Sequence, residues 1–236
     1  MKKKEATPGQ ALAPSKVESF LRKAAQTPLT TTKTQGRLVF ALDATASREP
    51  TWDRACQIQG EMFQATRDLG GLAIQLAFYR GFNEFSASPW TRDATTLLNE
   101  MLAVRCLGGH TQIARLLNHT LQQSRQAKIN ALVFIGDCVE EKPDQLYQLA
   151  GELGLLGIPI FIFHEGDEAN AQHCFKHMCE LSRGAYSPFN FSSAAQLKEL
   201  LTAVAVYAVG GYRALSKHSQ SAGQLTKNII KQLEKK

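Results

Sequence analysis

The 236-residue chain is first defined by what it lacks. Its longest apolar run, Leu200–Val209, is interrupted by Thr202 and falls well short of the roughly 20 residues needed to cross a bilayer. The opening Met1-Lys2-Lys3-Lys4 leads into Glu5, Pro8, Gly9 and Gln10, with no apolar core of a signal peptide, so a cytoplasmic location is the expectation. Cysteine is scarce and odd in number, five in all, with Cys56, Cys106 and Cys138 scattered singly. That usage suits reduced thiols and excludes a disulfide framework. There is no Gly-x-x-x-x-Gly-Lys phosphate loop, since Gly151–Gly157 falls in or just after a helix, and there is no Gly-x-Ser-x-Gly elbow. Two common routes to hydrolysis are therefore missing. No internal repeat is present.

The net charge of +6 hides an uneven distribution. Residues 1–36 carry seven Lys and Arg against two Asp and Glu, a balance of +5, and residues 211–236 carry six against one, again +5. The stretch between them holds 14 against 18 and is mildly acidic at −4. This divides the chain into a basic N-terminal arm over 1–36, a domain over 37–210 and a basic C-terminal tail over 211–236. The arm holds a short helix opened by the Ser15-x-x-Glu18 capping box and a Thr-rich linker over 27–35. Basic ends solubilise a chain or bind acidic partners and nucleic acid. In the tail, Leu225, Ile229, Ile230 and Leu233 form a stripe among lysines. It fits a helix packed on the domain or a basic helix laid on a partner.

An apolar content of 44% is enough to fill a core. Apolar runs at 38–42, 131–135 and 158–163 read as strands buried on both faces, the first two bounded at 38–43 and 131–136. Further strands are expected over 72–79, 82–86 and near Ala185-Tyr186. Helices are expected over 53–69, 94–103, to about 126 after Gly108-Gly109-His110-Thr111, then 143–155, 168–182 and 194–209. Such alternation gives an α/β fold, a doubly wound, mostly parallel six-stranded sheet with helices on both faces.

The first buried run ends in Asp43-Ala44-Thr45-Ala46-Ser47. One carboxylate and two hydroxyls alternate along this loop and can converge on one point. Hard oxygen donors of this kind suit Mg²⁺ or Mn²⁺. Asp137 stands at the end of the strand 131–136. With strand order 3-2-1-4-5-6 it neighbours Asp43 across the switch point, where doubly wound sheets bind ligands. Thr111 follows Gly108 and Gly109, whose permissive backbones let its loop swing in, free to approach or retreat.

These stretches, with Gly108-Gly109-His110-Thr111-Gln112-Ile113-Ala114 and Leu132-Val133-Phe134-Ile135-Gly136-Asp137, resemble the von Willebrand factor A domain and its metal-ion-dependent adhesion site. The resemblance implies that Asp43, Thr45, Ser47, Thr111 and Asp137 surround a divalent cation, Mg²⁺ or Mn²⁺. An acidic side chain of a protein partner would complete the cation's shell. It further implies an adaptor for an ATPase or chaperone assembly rather than an enzyme. Thr45 stands where serine is usual, keeping the hydroxyl, and Cys138 stands where glycine often follows the last aspartate.

Other readings compete. A haloacid-dehalogenase-like phosphatase also places Asp43 after the first strand and an acidic motif near Gly136-Asp137, Glu140, Glu141 and Asp144, but its acid–base carboxylate would fall at Thr45. His173 and His177 have helical zinc-ligand spacing beside Cys174 and Cys179, against which stands an ordinary helix with buried cysteines. Ser47 and Thr111 could instead cap the helices that follow them. Nucleic-acid association would rest on the basic ends.

Overall fold

The computed structural model describes residues 36–49, 72–189, 194–219 and 222–234. The helices expected over 15–24 and 53–69, the 27–35 linker and Cys56 lie outside them. The chain divides into two units, Met1–Lys33 and Thr34–Lys236, and every described residue belongs to the second.

Six strands form one sheet: β1 Arg37–Asp43, β2 Ala73–Arg80, β3 Glu84–Ala87, β4 Ala131–Gly136, β5 Ile160–Glu165 and β6 Ala185–Phe189. Their spatial order is β3-β2-β1-β4-β5-β6. Among the described strands β3 alone runs antiparallel, paired with β2; the remaining pairings are parallel. The helices among the described residues are α1 Ala94–Ala103, α2 Ile113–Gln126, α3 Pro143–Leu155, α4 Ala169–Leu181, α5 Ala194–His218 and α6 Gln224–Glu234.

The period of two along β1 explains the two-layered core. Leu38, Phe40 and Leu42 face one layer with Leu97 and Met101 of α1, Leu200 and Val204 of α5 and Ile229 of α6. Val39 and Ala41 face the other with Leu117 of α2, Leu146 of α3 and Phe175 of α4. Each of the larger side chains among these, fully buried, contributes roughly 1.5–3 kcal/mol. Asp43 continues the second series, so the packing that orients Val39 and Ala41 also fixes which way its carboxylate points.

Most elements shift by one or two residues, such as the strands expected over 158–163 and 82–86, which are Ile160–Glu165 and Glu84–Ala87, and three differences are larger. Strand β6 extends to Phe189 past Pro188, which lacks an N–H and is tolerated because β6 is an edge strand. The helix expected to stop at 209 does break its path there: Gly211 has φ 65° and ψ −166°, and the chain continues helically beyond that kink to His218. Residues 224–234, read as part of a basic tail, form α6 with Thr226, Ile229 and Ile230 buried. Of the two readings of that stripe, the packed helix is the one observed.

Candidate metal centre

The site lies where the strand order reverses, between β1 and β4. Asp43 is opposite Tyr79 of β2, and Leu42 is opposite Ile135 of β4. Asp137, two residues past Ile135, therefore emerges beside Asp43. Carboxylate oxygens of Asp43 and Asp137 and the Cys138 sulfur all lie within 4.8 Å of one another.

Asp43 is 0% exposed. Its Oδ1 accepts from the Thr45 N–H at 2.8 Å and its Oδ2 from the Tyr79 hydroxyl at 3.0 Å. The Thr45 and Ser47 hydroxyls are 3.0 Å apart, on a single 3₁₀ turn, Ala46–Arg48, that has no side-chain cap. Thr45 is buried and Ser47 exposed. The alternation read in the sequence thus places two hydroxyls side by side on the loop that Asp43 anchors.

Thr111 is buried and bound to the loop after β4. Its N–H donates to Glu140 Oε2 at 2.7 Å, its hydroxyl donates to Glu141 Oε2, and its Oγ1 accepts from the Glu140 N–H at 3.0 Å. A hydroxyl has one proton and two lone pairs, so one lone pair is left for a further ligand. Thr111 does not cap its own helix. The first residue before α2 is Gln112, with no side-chain cap, and the Ala114 N–H is met by Glu141 Oε1 at 3.1 Å.

In this structure the glycine loop lies close against neighbouring backbone. A Cβ on Gly109 would lie 2.0 Å from the Gly81 backbone. Gly81 itself has φ 59°, in the left-handed region. The Gly81 N–H donates to Leu107 O at 3.3 Å, the His110 N–H to Gly81 O at 3.2 Å and the Leu107 N–H to Ala44 O at 3.0 Å. Glycine here permits close contact of two backbones, and that contact pins the loop to both the β2–β3 turn and the Asp43 loop.

The electrostatics are those of carboxylates short of positive charge. Burial raises the Asp43 pKa, its bonds from Thr45 oppose the rise, nearby Asp137 adds to it and Arg48 opposes it. Asp137 Oδ1 is buried with no hydrogen-bond partner among the described residues. Burial first, then Asp137 and Asp43, push the Cys138 thiol up to about 12. Arg48 is fully buried, and its Nε lies 2.8 Å from Glu165 at the end of β5. His164, also 0% exposed, bridges the Asp137 carbonyl (Nε2, 3.1 Å) and the Tyr186 hydroxyl (Nδ1, 2.9 Å). Burial lowers its pKa. A neutral imidazole donating to the Asp137 carbonyl steadies that residue's loop.

Sequence reading did not place Tyr79, Glu141 or His164 beside the cation site, and took Cys138 only as a departure from the glycine after Asp137. All four lie near the carboxyl end of a strand or in the loop just after one, which is the signal that could have found them. The His/Cys cluster on α4 separates. Cys174 and Cys179 are buried and His173 is exposed, while the His177 ring packs edge-on against Tyr147 at 4.5 Å. Among the described residues these side chains form no metal-ligating group. No helix among the described residues is long and apolar enough to cross a membrane.

The chain has the fold of von Willebrand factor A domains. It is similar to a von Willebrand factor type A protein from Catenulispora acidiphila, with 13% identity and a TM-score of 0.58 over 75% of this chain and 43% of that one. It also resembles manganese-loaded TRAP protein of Plasmodium vivax, with 14% identity and a TM-score of 0.54 over 72% and 74%. A third likeness is to proximal thread matrix protein 1 of the mussel byssus with a zinc-occupied adhesion motif, at 11% identity and a TM-score of 0.55 over 72% and 45%. The chain thus spans less than half the length of two of these proteins. At such identities the likeness is one of fold. No family model and no curated protein matches the chain.

Proposed function

We propose that the crevice between β1 and β4 holds a divalent cation, Mg²⁺ or Mn²⁺, and through it binds an acidic side chain of another protein. The observation that carries this reading is Asp137 Oδ1, a buried atom with no hydrogen-bond partner among the described residues, on a half-buried side chain beside the fully buried Asp43. Two carboxylates this close repel each other and lose hydration, a cost that a cation between them removes. Asp43 and Asp137 would supply the charge, and Thr45, Ser47 and the spare lone pair of Thr111 the neutral oxygens. Glu141 would act behind Thr111, drawing on its proton and making the hydroxyl oxygen a better donor. Once bound, the cation supplies a positive centre at the crevice mouth for a carboxylate from outside.

Two comparisons support a cation in this fold, since the Plasmodium vivax protein is manganese-loaded and the mussel protein has a zinc-occupied motif. The reading is of an interaction module and not of an enzyme, because Thr45 stands where an aspartyl-phosphate route needs its acid. An ATPase or chaperone assembly inside the cytoplasm is the context that this reading favours.

Affinity capture with the full chain, with Mg²⁺ or with chelator and nuclease, tests it. Proteins retained only with Mg²⁺ and lost with Asp43→Asn are the expected result. Retention of nucleic acid alone, indifferent to chelator and suppressed by salt, would replace it with the reading based on the basic ends.

A further inference from the structure

We infer that Cys138 joins the ligand shell when a thiophilic divalent ion such as Zn²⁺ occupies this site, so that the site accepts Zn²⁺ as well as the Mg²⁺ or Mn²⁺ proposed above. The inference rests on the cation reading above and concerns which further ions the site accepts. The Cys138 sulfur is within 4.8 Å of carboxylate oxygens of both Asp43 and Asp137. A zinc ion sits about 2.0–2.3 Å from oxygen and sulfur donors, in tetrahedral array. Two donors around such an ion are then separated by about 3.3–3.8 Å. Movements of no more than about 1.5 Å, within reach of side-chain torsions, bring these three atoms to ligand distance.

The surroundings suit such a shell. Asp137 Oδ1 has no hydrogen-bond partner among the described residues to give up. His164 holds the Asp137 carbonyl, so the loop that carries the two consecutive donors is fixed from behind. Thr45 and Ser47, 3.0 Å apart, offer a neutral fourth donor. Two carboxylates, one sulfur and one hydroxyl or water make a four-coordinate shell that zinc accepts, whereas Mg²⁺ demands six oxygens in near-octahedral array and gains nothing from sulfur. On binding, the Cys138 proton leaves to solvent and the sulfur is held as thiolate. Cys106 is the other half-buried thiol nearby, with its pKa raised to about 11 by burial. It belongs to no metal-ligating group among the described residues.

Titration of the full chain with Co²⁺, a spectroscopic stand-in for Zn²⁺, reads the sulfur directly. The wild type should develop an intense near-ultraviolet sulfur-to-cobalt charge-transfer band. Cys138→Ser should abolish it and Cys106→Ala should keep it. Cys138→Ala should weaken Zn²⁺ binding at least about tenfold while leaving Mn²⁺ affinity within about twofold. Metal-free melting curves of both Cys138 variants establish that each folds. Co²⁺ binding without the band, or a band that survives in Cys138→Ser, would overturn the inference and leave the cation site standing. Failure of the wild type to bind Co²⁺, Zn²⁺ or Mn²⁺ would overturn both.

Discussion

At residue scale the site is a place where stability has been given up. Asp43 sits in a setting that disfavours its charged form and raises its pKa, with burial as the first cause. Asp43→Asn should leave the metal-free melting temperature unchanged or raise it, while removing the stabilisation that Mn²⁺ gives to the wild type. Differential scanning calorimetry with and without Mn²⁺ checks both halves, and a marked fall in the stability of the metal-free variant would point to a structural role instead. Burial also lowers the pKa of His119, whose Nε2 lies 2.9 Å from Gln75 Oε1. A histidine with a depressed folded pKa binds fewer protons folded than unfolded. Its stability is therefore fully present above its ordinary 6.5 and is lost as pH falls through that value toward the folded pKa. Metal-free melting temperatures should drop below that pH, and His119→Gln should flatten the drop. That variant is cleaner than one at His164, which would also release the Asp137 carbonyl. The five oxygen-bearing candidates could be read because each residue type announces its chemistry, and the structure brings Asp43 beside Asp137 and Thr45 beside Ser47. Cys138 could not: in sequence it reads as a missing glycine, and only the fold brings its sulfur close to Asp43.

At the scale of elements, helices and strands are closed by side chains from far along the chain. Glu141 satisfies both the Ala114 N–H at the start of α2 and the Thr111 hydroxyl. Glu141→Ala should therefore cost about 1 kcal/mol of stability, the usual worth of a helix cap. It should also weaken Mn²⁺ affinity by about tenfold, although Glu141 is not a ligand. Urea unfolding and calorimetric titration measure the two effects, and an unchanged Mn²⁺ affinity would remove Glu141 from the site. This contact was illegible because Thr111 and Glu141 are 30 residues apart, and Gly108-Gly109 suggests freedom where the structure uses it for close packing. That the sheet is mostly parallel and covered on both faces, by contrast, was readable from the apolar runs of β1, β4 and β5, which only such a sheet can bury.

At the scale of the whole folded unit, the C-terminal helix closes the open edge of the sheet. The Gln232 amide accepts from the Tyr186 N–H and donates to the Tyr186 carbonyl, both at 2.9 Å, imitating one residue of a seventh strand. Pro188, two residues further on, has no N–H to offer, so this edge resists pairing with another chain. Gln232→Ala strands both groups of Tyr186 and should cost about 1–3 kcal/mol. Size-exclusion chromatography of this variant should show increased self-association at high concentration, whereas a monodisperse, equally stable variant would deny the helix this role. The charge pattern of 211–236 concealed the packing, because lysines spaced around Ile229 and Ile230 look alike whether the apolar stripe meets a partner or the chain's own sheet.

The cation between Asp43 and Asp137 is the claim on which the functional reading depends. Mn²⁺ titration followed by electron paramagnetic resonance, which counts free against bound ion, tests it most directly. One Mn²⁺ bound per wild-type chain, and none in Asp43→Asn or Asp137→Asn at the same concentrations, is the predicted result. Equal Mn²⁺ binding by the wild type and both variants, or none by the wild type, would contradict it.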